Sequence, residues 1–385
     1  MLTSSLPPPT VVADADGLQR LADLLASHSR VAVDTESNSL HAYRERVCLI
    51  QFSTPDADYI VDPIVLPDLS LLAPFFASPD QEKIFHAAEY DLICLRRAYR
   101  FEVANIFDTM TAERTLGWPQ VGLAAILASH FGITLNKTYQ RADWKRRPLT
   151  REQLDYARLD THYLCALRDK QFEELTAAGR WPEAREEFAR LAGGRGEPDA
   201  AANESASFWR VKGARDLTPA QAAVLQELFD YRERQAERLD VPPFKVMGEA
   251  ALMDLASRTP RRVEDLAAAG GLTPDQVRRH AGAVLSAITA GLEAPPRYAP
   301  PIERESDEVR ERYDRLHTWR KERAKARGVE SDVILPRTAL QDLARRPPAT
   351  HDDLARIADL GPWRRETYGN EILALLNRAV PISRA

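Results

Sequence analysis

The chain has 385 residues, 44% of them apolar and 28% charged; at roughly 100–200 residues per domain this predicts two or three folded domains and excludes global disorder. A net charge of −5 excludes nucleic-acid binding by bulk charge, and the deficit falls wholly in residues 1–196, which hold 22 Lys and Arg against 27 Asp and Glu, while residues 197–385 balance at 30 against 30. Cys48, Cys94 and Cys165 offer neither a disulfide framework nor zinc spacing, so a reducing, cytoplasmic setting is expected.

From Leu18 the spacing of Leu18, Leu21, Leu24 and Leu25 predicts a short amphipathic helix. Strands are expected at Val31–Val33, Val47–Ser53 and Asp58–Val61, the last two as an antiparallel meander. A strand at Lys83–His86 leads into a helix at Ala88–Arg97, and a short strand at Ile106–Phe107 precedes more helix. Val121–Leu135 is the most apolar stretch, too short to span a bilayer, and MLTSSLPPPT is no secretory signal. Thr150 is an expected N-cap, with Gln153 closing a capping box, for a long helical pattern reaching about Ala178. Clustered strands followed by alternating strands and helices imply a mixed sheet packed with helices.

Gly193–Asp199 breaks the periodicity and reads as a linker, beyond which only helical pattern appears. An internal repeat with an offset of 88 residues runs through this part. Leu228, Arg232 and Ala236 recur as Leu316, Arg320 and Ala324; Leu252, Asp254, Leu255, Ala256 and Arg258 recur as Leu340, Asp342, Leu343, Ala344 and Arg346. The Pro-rich Ala294–Pro301 separates the copies. One α/β domain (residues 1–195) followed by two related helical domains (205–293 and 303–385) is therefore expected.

Asp34-Thr35-Glu36 closes the first apolar strand, and alternation sends Asp34 and Glu36 to the same face. Alone the triplet also fits a solvated acidic turn. Asp91 falls in the first turn of a helix, where an acid also simply complements the helix dipole. Tyr156 and Asp160, four apart on a helix, share a face. Together, four carboxylates suit two hard divalent ions, Mg²⁺ or Mn²⁺, which hold the attacking and leaving oxygens of a phosphoryl displacement. No zinc spacing, phosphate loop or nucleophile elbow competes.

The order Asp-x-Glu, Asp, Tyr-x-x-x-Asp, with Leu49-Ile50-Gln51, His86-Ala87-Ala88-Glu89-Tyr90-Asp91, Lys137, Gln140, Asp143-Trp144 and Arg147-Pro148-Leu149, resembles the 3′→5′ exonucleases of the DEDD group with the tyrosine variant. Within that group it resembles the ribonuclease D family over nearly the whole chain, and the 88-residue repeats resemble HRDC modules. The resemblance implies a ribonuclease H-like mixed-sheet exonuclease domain and two helical HRDC-like domains. It implies that Asp34, Glu36, Asp91 and Asp160 bind metal and that Tyr156 positions or deprotonates the attacking water. The implied reaction is metal-dependent 3′→5′ hydrolysis of RNA to 5′-nucleotides, as in tRNA 3′-end maturation or RNA turnover, by a monomer that touches no membrane. The same chemistry on DNA, and a non-catalytic RNA-binding scaffold, are the alternatives.

Arg141–Arg151 holds five basic residues, one acid and Trp144. It leads into the helix of Tyr156 and Asp160, so Lys145, Arg146 and Arg147 are candidate phosphate contacts. Thr35, Leu40 and His86 are further candidate substrate contacts beside the acids. Arg310–Arg327, rich in Arg and Lys with Tyr313 and Trp319 interleaved, is expected to grip RNA, its glutamates also fitting a salt-bridged face. His280, His317 and His351 are expected to lack partners. Because the acids precede the linker, the first domain is expected to fold and cut RNA without residues 205–385.

Overall fold

A computed structural model describes residues 6–135, 138–194, 207–268, 271–301 and 304–377. Lys137 and most of the expected Gly193–Asp199 linker lie outside the described residues. The first part is a six-stranded mixed sheet in the order β1-β4-β3-β2-β5-β6. Its strands are β1 (Thr10–Val12), β2 (Arg30–Ser37), β3 (Val47–Ser53), β4 (Asp58–Val61), β5 (Glu82–Phe85) and β6 (Ile106–Asp108). β3 and β4 form the expected antiparallel meander; β1 runs parallel to β4, and β2, β5 and β6 are mutually parallel neighbours.

The helices are α1 (Ala15–Ala26), α2 (Ala73–Ala77), α3 (Glu89–Tyr99), α4 (Thr109–Leu116), α5 (Leu123–Phe131), α6 (Arg151–His162), α7 (Leu164–Ala177) and α8 (Trp181–Ala192). Leu18, Leu21 and Leu25 of α1 are buried, as the helical spacing requires. Val31, Val33, Ile84, Phe85, Phe107, Leu92 and Leu95 belong to the main core, where burying each large apolar side chain contributes about 1.5–3 kcal/mol. A smaller core of Cys48, Leu49, Ile60, Trp144 and Ala157 lies where α6 packs on β3 and β4. The long helical pattern from Thr150 breaks at Tyr163 into α6 and α7; the capping box of Thr150 and Gln153 is present.

Contacts group Met1–Glu36, Val47–Gly194 and Arg304–Ala385 in one unit, and Ser37–Arg46 with Arg195–Glu303 in another. In the first unit, the second helical repeat is fastened to α4 and α8 by side chains. Glu183 of α8, buried, accepts both Nη atoms of Arg327 at 2.8 and 2.6 Å, and Arg327 also donates to the Tyr368 hydroxyl at 2.9 Å. Glu186 caps the helix Pro362–Leu376, accepting the Trp363 and Arg364 backbone N–H groups, while Arg364 Nη1 donates to it at 2.9 Å. Gly361 permits that approach, because a Cβ there would sit 2.1 Å from Glu186 Cδ. Arg114 of α4 pairs with Asp332 at 2.5 Å.

The second unit holds the first repeat around Leu225, Leu228, Leu252, Leu255, Val284 and Ile288. Tyr43 and Arg44 belong to it: the Tyr43 hydroxyl donates to Glu233, its N–H to Asp240, and Arg44 pairs with Glu237 at 2.8 Å. The connector is tied back where Arg215 donates to the Pro300 carbonyl at 2.8 Å. The repeat register is visible in burial: Leu228 and Leu316, Arg232 and Arg320, Ala236 and Ala324, Leu252 and Leu340, and Leu255 and Leu343 are buried in both copies.

Among the described residues no helix is long and apolar enough to cross a membrane. Two expectations are corrected. His280 has a partner in the Tyr231 hydroxyl, His351 one in the Arg365 carbonyl, and His317 stacks on Tyr313. Much of the expected RNA-gripping face of Arg310–Arg327 is committed to contacts within the protein, while Lys321 and Lys325 are exposed. Trp319 is buried and donates to Glu371, Arg320 donates to the Leu335 carbonyl, Arg312 to the Ala344 carbonyl and Arg327 to Glu183, while Arg323 pairs with Glu371.

Candidate metal and active site

β2 extends through Ser37, so Asp34 and Glu36 lie within the strand rather than beyond its end. Their period-two spacing puts both side chains on one face, and the same face meets Asp160 of α6: one carboxylate oxygen from each of the three lies within 4.8 Å of the others. Asp91, in the first turn of α3, stands beside this trio rather than in it. Its Oδ1 accepts the Thr35 backbone N–H at 3.1 Å and the Thr35 hydroxyl at 2.5 Å.

The turn that delivers Asp91 depends on Asp108, which the sequence reading overlooked. Ala87 takes a left-handed φ of 63°, uncommon for a residue with a Cβ. Asp108 secures it, accepting the Ala88 N–H at 2.5 Å through one oxygen and capping α4 through the Thr111 N–H at 2.7 Å with the other. The sequence signal was present, since an Asp directly before a helical segment is a strong N-cap.

Electrostatics separate this cluster from an ordinary acidic surface. Burial, then the charge of Asp160, raises the Asp34 pKa; burial, then Asp34, Asp160 and Asp91, raises that of Glu36. Burial and Asp34 raise Asp91, and burial and Asp91 push Asp160 up to about 7. Four carboxylates, Asp91 buried and the other three half-buried, that repel one another resist joint ionisation unless positive charge joins them. An all-oxygen donor set of this kind fits a hard divalent cation.

A cavity of about 430 Å³ opens on the trio, lined also by His86, Gly122, Leu123, Leu135, Gln140 and Tyr156. Tyr156 is wedged between Trp144, stacked at 5.9 Å, and Tyr139, edge-on at 6.1 Å. Burial, then Asp160, Glu36 and Asp34, raises its hydroxyl pKa. His86 lines the wall with Nδ1 2.9 Å from the Thr109 hydroxyl, and burial lowers its pKa to about 4, so it is neutral at physiological pH.

Two of the expected substrate contacts, Arg147 and Thr35, do other work. Arg147 is turned inward: Nε and Nη2 donate to the buried Asp62 at 2.6 and 2.7 Å, and its other donors meet the carbonyls of Trp144, Arg146 and Cys48. It holds the loop before α6 against β3 and β4 and has no donor left for phosphate. Thr35 is occupied with Asp91. Leu40 is exposed on Ser37–Arg46, which belongs to the second unit. Lys145 and Arg146 are exposed on the loop, Arg146 paired with Asp143 at 3.2 Å.

Residues 9–176 match the 3′-5′ exonuclease family, and residues 221–288 and 309–376 each match the HRDC domain. Ribonuclease D of Nitrobacter hamburgensis is 30% identical over 358 residues, which cover 91% of this chain and 91% of that one. The chain belongs to the ribonuclease D family. That membership brings the fold expected from the sequence, a mixed-sheet exonuclease domain followed by helical HRDC domains. The family consists of hydrolytic 3′→5′ exoribonucleases, and its exonuclease domain uses divalent metal. Protein RRP6-like 3 of Arabidopsis thaliana is 33% identical over 271 residues, 65% of this chain, but the match spans only 30% of that relative's length. The structure of Escherichia coli RNase D, at 24% identity, shares the fold with a TM-score of 0.69 over 96% of this chain and 99% of that one.

Proposed function

We propose that this ribonuclease D family member is a 3′→5′ exoribonuclease that removes 5′-nucleotides from RNA with a 3′ single-stranded end, tRNA precursors among them. The observation that carries the reading is the meeting of Asp34, Glu36 and Asp160 oxygens within 4.8 Å, with Asp91 beside them and Tyr156 lining the same cavity. Asp34, Glu36, Asp91 and Asp160 would hold two ions, Mg²⁺ or Mn²⁺. When bound, such ions stabilise charge on the attacking and leaving oxygens of an in-line displacement.

The chain's own groups do the rest. Tyr156 orients the attacking water through its hydroxyl, held by the rings of Trp144 and Tyr139. Leu123, Leu135 and the neutral His86 give the cavity a wall that packs the terminal nucleotide without adding charge. Lys145 and Arg146 supply phosphate contacts on the approach to α6. Buried cysteines that form no disulfide among the described residues suit a reducing cytoplasm, and the protein is read as a monomer.

The test is degradation of 5′-end-labelled RNA and matched DNA, with Mg²⁺, with Mn²⁺ and with chelator. The expected result is a ladder shortening from the 3′ end of RNA that disappears with chelator. Metal-independent cleavage, internal cleavage, or faster loss of DNA than of RNA would overturn the reading.

A further inference from the structure

Within β2, Asp34 and Glu36 turn toward Asp160, and alternation sends the Thr35 side chain the other way, toward α3. There it meets Asp91. Both hydrogen bonds to the carboxylate, from the Thr35 N–H and from the Thr35 hydroxyl, end on the same oxygen, Oδ1. Oδ2 accepts none among the described residues. Two donors on one oxygen fix the rotamer and rotation of the carboxylate and leave the second oxygen as its lone-pair donor. A β-branched residue suits this task, because its χ1 is stiff and its methyl group resists turning the hydroxyl away.

We infer that Thr35 is a positioning residue that presets Asp91 as a single-oxygen ligand, and so tunes cation affinity on the Asp91 side of the cluster without touching RNA. The inference rests on the metal-binding reading of the four acids. Groups that orient a metal ligand typically change affinity by about 10–100-fold when removed. The Thr35 N–H persists in any side-chain variant, so the lower end of that range applies.

The experiment is Mn²⁺ titration of the full chain by calorimetry, with no RNA present, on the wild type, Thr35→Val, Thr35→Ser and Asp34→Asn. Thr35→Val is expected to bind Mn²⁺ about tenfold more weakly in the Asp91-dependent phase, with an unchanged melting temperature in chelator. Thr35→Ser, which keeps the hydroxyl, is expected to bind within about twofold of the wild type, and the RNA KM should not move in either variant. If Thr35→Val does not fold, Thr35→Ala makes the same comparison. A Thr35→Val (or Ala) isotherm that superimposes on the wild type, or a Thr35→Ser protein as impaired as Thr35→Val, overturns the inference. Lost binding in Asp34→Asn beside an unchanged Thr35→Val isotherm defeats this inference alone. A wild type that binds no Mn²⁺, or binds it equally after Asp34→Asn, defeats the metal-site reading and this inference with it.

Discussion

The charge of Asp34 raises the pKa values of both Glu36 and Asp91. Asp34→Asn should nearly abolish hydrolysis while relieving repulsion in the metal-free fold, so its melting temperature in chelator should match or exceed the wild type. Near-wild-type turnover at saturating Mn²⁺ would rule out its role. Tyr156→Phe keeps the ring between Trp144 and Tyr139 but removes the hydroxyl. Turnover should fall about 10²–10⁴-fold with little change in KM; an unchanged turnover number would make Tyr156 a packing residue. Arg147 and Arg146 should separate cleanly. Arg147→Ala strands the buried Asp62 and should cost about 3 kcal/mol of stability, whereas Arg146→Ala should leave the melting temperature alone and weaken RNA binding. Equal thermal stability for the two variants would count against the inward role of Arg147. The contrast also shows what the sequence held. The meeting of Asp34, Glu36 and Asp160 was legible in two short motifs, Asp-x-Glu and Tyr-x-x-x-Asp, read with the family resemblance. The partner of Arg147 lies 85 residues away, so a local charge run could not reveal that its third arginine was structural.

Secondary structure was legible wherever local signals set it: the capping box at Thr150 and Gln153, the leucine spacing of α1, and the two strands of the meander appear where expected. β1 was not, because three residues carry no period and its pairing partner β4 is far along the chain. The break at Tyr163 and the helix α8 were likewise not anticipated. At this scale α4 makes a test of its own. Glu113, fully buried, receives a hydrogen bond from Gln171, and burial with the Asp108 charge pushes its pKa up to about 9. An acid whose folded pKa is raised binds its proton more tightly folded than unfolded. Its contribution therefore favours the fold at low pH and is lost as pH rises from the ordinary carboxyl range toward about 9. Glu113→Gln should accordingly melt higher than the wild type, by a margin that widens between about pH 5 and about pH 9. A constant difference across that range would place the proton elsewhere.

Over the whole molecule, the repeat was legible as a repeat, and the different employment of its copies was not. Both copies bury the same positions, yet the second is bolted to α8 through Glu183 and Glu186. Those contacts bear on the expectation that the first 195 residues make an independent nuclease. Removing residues 304–385 leaves two acids of α8 without their guanidinium partners and uncovers the Gly117 turn that faces Gly328. The shortened protein should melt lower by on the order of 10 °C and bind 8-anilinonaphthalene-1-sulfonate more strongly. A truncated chain as stable as the full one would restore the expectation of independence.

This wiring also has a tempo. Glu186 is made 178 residues before Arg364, the group that pairs with it. At synthesis rates of about 5–20 residues per second, the growing chain waits roughly 10–35 s between the two. All the acids of the cluster have left the peptidyl-transferase centre once residue 160 is added, but the unit that holds them is closed only when the helix Pro362–Leu376 emerges. For an enzyme assembled within reach of its own messenger RNA, that order delays a fully braced catalytic domain until Arg364 has been added, long after its acids.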